Sequence, residues 1–191
     1  MKPARWATER NPDRLTHGAQ LAKVAEQLGF ELFEWQRQVA DVALELDAEG
    51  NYHYRTVGVT VGRQNGKTAL AAIRAALELL KPGTVTIYTA QDRNLARLRF
   101  DEHVKRYVRA NGQEALYMNN GSQYRIVTPS AQGGRGLTVD CAIIDEALTH
   151  DLRLVASLQP TMATKKSAQM WLTSNAGGPY STMLSHYRKL G

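Results

Sequence analysis

The run GRQNGKT at 62–68 follows the β-branched stretch RTVGVTV at 55–61 and precedes an apolar-periodic segment. Backbone amides of residues 64–68 at the amino end of a helix form an anion-binding concavity, and Lys67 brings a mobile positive charge to terminal phosphates. Gly66 permits close backbone approach, while the Thr68 hydroxyl suits a magnesium ion bridging two phosphate oxygens. The chemistry these residues suit is phosphate binding, with Gly62, Arg63, Gln64, Asn65, Gly66, Lys67 and Thr68 as the cradle. Against the pattern G-x-x-x-x-G-K-[ST], Val61 stands where the first glycine belongs. The bland alternative is a Gly-Asn turn capped by threonine with Lys67 in solvent.

A second segment, VDCAIIDEA at 139–147, delivers two adjacent acids to the carboxyl end of a buried strand. Asp145 can organise magnesium through water, and Glu146 can orient or deprotonate an attacking water. Taken alone, two acids after a strand also serve as solvent-facing groups or as a helix cap. Paired with the GKT end at 66–68, they point to a nucleoside triphosphate site using Mg2+.

These two motifs together resemble the amino-terminal ATPase domain of phage terminase large subunits, helicase-like P-loop enzymes with an altered beginning to the phosphate loop. The resemblance covers about residues 30–178. FEWQRQ at 33–38 is similar to the family's adenine-recognition segment, which implies Trp35 as a packing surface and Gln36 as a base-facing amide. Trp35 as helix core and Gln36 as a solvent-facing group is the competing reading. LTSNA at 172–176 resembles the coupling motif, which implies that Thr173, Ser174 and Asn175 sense loss of the terminal phosphate, against a plain polar turn.

The resemblance further implies catalytic roles for Lys67 and Glu146, a metal environment from Thr68 and Asp145, and an arginine from Arg63 in cis or Arg135 as a finger. Arg135 as a loop charge touching solvent or DNA is the alternative. It implies packaging of double-stranded viral DNA into a procapsid, with the portal protein and small terminase subunit as partners. A pentameric ring is expected on assembly, with the isolated domain monomeric. The expected setting is the cytoplasm of an infected bacterial host, transiently at the procapsid portal, without a membrane. Large subunits also carry a carboxyl-terminal nuclease, so residues 15–191 are expected to be an ATPase domain truncated before it, with no nuclease activity. A helicase-like translocase and a nonhydrolytic, nucleotide-responsive assembly module are the competing functions.

The elements that must position these groups follow from periodicity. Helices are expected at 15–28 and from about Glu34 towards Gly50, with residues 1–14 a loose lead-in. Strands are expected at 55–61, 84–90, 124–128, 139–145 and 170–176, and helices after Lys67, at 91–110, and at 151–159 ended by Pro160. Alternating short strands and longer helices give an α/β fold: a P-loop NTPase with a mainly parallel central sheet flanked by helices, in the helicase/terminase-like ASCE arrangement. On the helix expected at 91–110, Arg93 with Arg97 and Lys105 with Arg109 are spaced to share a side and meet DNA phosphates, although a solvated helix explains them equally.

Composition agrees. The 191 residues are 43% apolar and 22% charged, with 24 Lys and Arg against 18 Asp and Glu, a net charge of +6 that suits a polyanionic partner. A single cysteine, Cys141, excludes an intramolecular disulfide and reads as a core thiol. No Cys, His and acid cluster has zinc spacing, and no stretch is apolar enough to span a bilayer.

Overall fold

The computed structural model describes residues 4, 7–89, 104–110, 113–127, 136–150, 152–176 and 181–190. Helices α1 (Gly18–Gln27) and α2 (Glu34–Ala43) precede strand β1 (Thr56–Thr60), helix α3 (Lys67–Leu79) and strand β2 (Val85–Thr89). Strands β3 (Val104–Ala110), β4 (Gln113–Met118), β5 (Gln123–Ile126) and β6 (Cys141–Ile144) follow. A 3-10 turn (Ala147–Thr149), helix α4 (Leu152–Met162), strand β7 (Gln169–Ser174) and helix α5 (Thr182–Leu190) complete the described chain.

Among the described residues the strands form one sheet in the order β1-β7-β6-β2-β5-β4-β3. Pairing is parallel from β1 to β5 and antiparallel at β5–β4 and β4–β3. This is the P-loop NTPase fold, with β7 inserted between the strand that leads into the phosphate loop and the strand that ends in the acids. β6 and β7 are buried along their whole length, as strands covered on both faces must be. One face packs against α1, α2 and α3 through residues such as Leu21, Leu70, Ile73, Tyr88, Ile143 and Trp171. The other packs Ile87, Ala142, Ile144 and Leu172 against Leu154 and Leu158 of α4.

Three expectations change. Residues 90–103 lie outside the described residues, but 104–110, expected as the end of a helix, form β3 instead. VKRYVRA is rich in β-branched and aromatic residues, and pairing with β4 in the register Tyr107↔Leu116 outweighs its helical spacing. The helical argument for Lys105 with Arg109 therefore falls, and Arg93 and Arg97 lie outside the described residues. Pro160 does not end its helix but sits inside α4, near enough to the end that only one late i→i−4 bond is lost. Helix α5 and strand β4 add to the elements expected from periodicity.

Of the lead-in, Arg10, Asn11 and Arg14 are tied to Glu45. Its fully buried carboxylate accepts from Arg10 Nη1 at 3.0 Å, the Asn11 amide at 2.8 Å and Arg14 Nη1 at 3.0 Å. Burial opposes ionisation, yet these donors hold Glu45 below the usual glutamate range.

Behind the sheet, Tyr52 is flanked by Arg74 and Lys81, and the ring of His17 meets it edge-on at 5.8 Å. Burial, with Lys81 and Arg74 nearby and Glu78 opposing them, lowers the His17 pKa below the free value. The unfolded chain therefore takes up the proton more readily, and the His17 contribution is present above about pH 6.5 and lost as pH falls through the folded value. Thermal melts at about pH 7.5 and about 5.5 are expected to show a lower midpoint in acid, with His17→Gln removing part of that drop. An identical drop in the variant would exclude His17 as its source.

Candidate nucleotide site

β1 ends at Thr60, and the Val61 amide donates to the Ser174 carbonyl at 3.1 Å, so the loop at 62–66 leaves the sheet edge beside the end of β7. Gly66 then caps α3 with φ of 81°. A side chain there would be strained, and its Cβ would stand 2.9 Å from Gln36 Nε2 and 3.3 Å from the Phe33 ring. The loop and Glu146 border an open cavity of about 660 Å³, within the range of ligand pockets. Gln64 and Glu146 are the non-glycine residues with positive φ among those described, at 59° and 52°, and both line it. Such backbone strain concentrates where function requires it.

Lys67 is 6% exposed. Its ammonium donates to the Gly62 carbonyl at 2.8 Å and Asn175 Oδ1 at 2.7 Å, both neutral oxygens. No carboxylate pairs directly with it among the described residues, so a phosphate in the cavity would give this buried ammonium a charged partner. Asn175 Nδ2 in turn donates to Glu146 Oε2 at 3.4 Å. One amide thus spans the lysine of the loop and the second acid.

The Asp145 carboxylate is held from four sides. Oδ1 accepts from Thr173 Oγ1 at 2.5 Å and the Glu146 amide at 3.0 Å; Oδ2 accepts from the Tyr88 hydroxyl at 2.7 Å and Thr68 Oγ1 at 3.2 Å. Burial first, then the adjacent Asp145, pushes the Tyr88 phenol up, which keeps it a donor. His150 Nε2 lies 3.2 Å from the Asp145 carbonyl. Thr68 and Asp145 offer hard oxygens side by side. No group of three His, Cys, Asp or Glu able to hold a metal occurs among the described residues. The Thr68 and Asp145 oxygens are of the kind magnesium takes, since it uses one or two protein ligands and completes its shell with water and substrate phosphate.

The structure brings Gly66, Lys67, Thr68, Arg63, Gln64, Asn65, Glu146 and Asn175 to one cavity. Gly62 contributes its carbonyl to Lys67. Thr173 and Ser174 are fully buried and face inward, Thr173 to Asp145 and Ser174 Oγ to the Leu148 amide at 3.1 Å. Of the three residues expected to meet phosphate there, Asn175 alone lines the cavity.

Trp35 packs against the core, its indole nitrogen buried without a hydrogen-bond partner among the described residues. Gln36 is 3% exposed, and its amide is committed inward, donating to the Gly66 carbonyl at 2.9 Å and accepting from the Phe33 amide at 2.8 Å. It props the phosphate loop. The exposed aromatic surface beside Gly66 is Phe33, 55% exposed, which motif spacing does not single out. Arg135 lies outside the described residues. Tyr88 is a second residue that the motifs miss, because its meeting with Asp145 depends on β2 lying next to β6.

Solved structures share this fold. The HK97 bacteriophage large terminase superposes with a TM-score of 0.69 at 17% identity, over 91% of this chain and 40% of its own. The Thermus phage P74-26 large terminase ATPase domain matches with 0.58 at 18%, over 88% and 73%. A large terminase from a thermophilic bacteriophage, in complex with ADP, matches with 0.52 at 16%, over 66% and 35%. No family model and no curated protein sequence matches the chain. The chain therefore has the fold of large-terminase ATPase domains and spans less than half the length of the HK97 protein.

Proposed function

We propose that this chain is the ATPase motor domain of a bacteriophage large terminase, and that it hydrolyses ATP to drive double-stranded DNA into a procapsid. The observation that carries the reading is the insertion of β7 between β1 and β6, which sets Asn175 between Lys67 and Glu146 at 2.7 and 3.4 Å. Three motifs remote in sequence meet at adjacent strand ends around one cavity, and the fold shared with the terminase ATPase domains supports the same assignment.

In this reading the first amides of α3 and the Lys67 ammonium bind the phosphates. Thr68 and Asp145 would hold Mg2+, which would supply positive charge against the phosphates when bound. Glu146 orients the attacking water and takes its proton. Asn175 contacts both Lys67 and Glu146, so departure of the terminal phosphate changes the partners of its amide at the end of β7. Arg63 lies at the cavity to meet developing negative charge, and Arg135 is the alternative finger, for the same or a neighbouring active site in a ring.

Duplex DNA, the portal protein and the small terminase subunit are the partners this assignment implies, in a host cytoplasm and at the procapsid. No helix among the described residues is long and apolar enough to cross a membrane. The test is phosphate release from Mg-ATP, with and without duplex DNA, across protein concentration. The expected result is turnover that rises with concentration and with duplex, the duplex effect fading with added salt. Strand separation would favour a helicase-like translocase. Nucleotide-dependent assembly without phosphate release would overturn the motor reading in favour of an assembly module.

A further inference from the structure

Asp145 has two oxygens and about four acceptor positions, and all four are occupied by protein donors. A cation approaching this carboxylate must take the place of one of them. At Oδ1 the donors are the adjacent backbone amide and the 2.5 Å contact from Thr173, which is itself fully buried in β7. At Oδ2 they are Thr68 at 3.2 Å and Tyr88 at 2.7 Å. Thr68 is the long contact, it lines the cavity, and its oxygen is suited to the same cation. Tyr88 is 1% exposed, rooted in β2 next to β6, with its ring against Tyr124 of β5 at 6.2 Å. Thr68 is free to let go of Oδ2; Tyr88 is not.

We propose that Tyr88 is a positioning residue for the metal carboxylate: its hydroxyl fixes the rotation of Asp145 so that the Oδ2 position held by Thr68 is the one that opens to a divalent cation. The inference rests on the ATPase reading of the site and goes beyond it, because none of the motifs that suggest an ATPase includes this tyrosine. A ligating carboxylate whose orientation is fixed by an outer hydrogen bond binds its metal more tightly, typically by about 10- to 100-fold. Tyr124 provides an internal control. Its hydroxyl is buried close by with no hydrogen-bond partner among the described residues, so removing it changes the packing neighbourhood without taking a hydrogen bond from Asp145.

The experiment titrates Mg2+ into the full chain with a fluorescent methylanthraniloyl ADP, following binding directly, for wild type, Tyr88→Phe and Tyr124→Phe. Thermal melting accompanies each protein to establish folding. For Tyr88→Phe the expected result is a Mg2+ half-saturation raised by about tenfold or more. Nucleotide affinity in EDTA should be unchanged, and turnover should recover towards wild type at saturating Mg2+. Tyr124→Phe should titrate as wild type. A Tyr88→Phe protein with the wild-type Mg2+ half-saturation, or a Tyr124→Phe protein shifted equally, overturns the positioning role while leaving the ATPase reading intact. A wild-type protein whose nucleotide binding ignores Mg2+ overturns both.

Discussion

Glu146→Gln is expected to bind ATP as wild type does and to release phosphate roughly 100- to 10,000-fold more slowly, the span typical of a lost general base. The exchange is nearly isosteric, and among the described residues the Glu146 side chain makes one hydrogen bond, the 3.4 Å bond from Asn175 Nδ2. Glutamine can still accept that bond through its carbonyl, so the geometry of β7 survives and only the basicity is lost. Its backbone, at φ of 52°, is set by the tight turn after β6 in which the Thr149 amide and hydroxyl both bond to the Glu146 carbonyl, at 2.9 and 2.8 Å. The substitution leaves that turn alone.

Lys67→Ala provides the contrast, since it removes the buried ammonium and should lower nucleotide affinity as well as turnover. Single-turnover phosphate release, run beside fluorescent nucleotide binding, separates the two. Equal turnover in Glu146→Gln and wild type would remove Glu146 from the mechanism and leave the water to another group in the cavity.

What the sequence makes legible is what is local. GRQNGKT lies within one loop and one helix turn, and its strand, glycine and lysine fall where contiguous spacing requires. CAIID is a short buried strand running into two acids, and its apolar run announces it. The meeting of these two segments with Asn175 is legible only through family resemblance, because strand order is a non-local property that no window of sequence contains. For the same reason Tyr88 escapes notice: its place opposite Ile143 in the parallel register brings its hydroxyl to Asp145.

The difference at 104–110 has another cause. Asn111-Gly112 reads as a turn, and an Asn-Gly turn can follow a helix or join two strands; the residues that flank it pair as Ala110↔Gln113. Basic residues at four-residue spacing fit a helix face, and they fit alternate positions on a strand equally well. Gln36 shows the limit at the side-chain level. Periodicity places it on α2, but the direction of its amide is decided by the Gly66 carbonyl thirty positions away.

A signal present in the sequence but not read from it lies in α3. Arg74 and Glu78 are four apart and fall in the same stripe as Leu70 and Ala71, so a charged pair had to be carried into the core. Arg74 is fully buried, and Glu78 Oε2 accepts from Arg74 Nη1 at 2.9 Å and from Lys81 Nζ at 3.2 Å. Burial opposes the charge on Glu78, but Arg74 and Lys81 hold its pKa below the ordinary value. Burial also opposes the charge on Arg74, and Cys141, Tyr52 and Glu78 hold its pKa up against that burial. The pair also joins the two elements that carry the site, since Arg74 Nε meets Gln169 Oε1 at 3.4 Å, and the Gln169 amide is donated to the carbonyls of Ala43 and Tyr54.

Removing one member of such a pair leaves a buried guanidinium that cannot shed its proton, at a cost of about 3–5 kcal/mol. Against a total stability of about 5–15 kcal/mol, Glu78→Ala is expected to lower the melting midpoint by about 10 °C or more. Replacing both partners, as Arg74→Met with Glu78→Leu, should cost much less than the sum of the single changes. The Glu78 contribution is present above the unfolded glutamate value near 4.5 and disappears as pH falls through its lower folded value. Melts at about pH 7 and about pH 3.5 should therefore converge between wild type and Glu78→Ala. A single variant as stable as wild type at neutral pH would mean that α3 and β7 are held together by their apolar contacts alone.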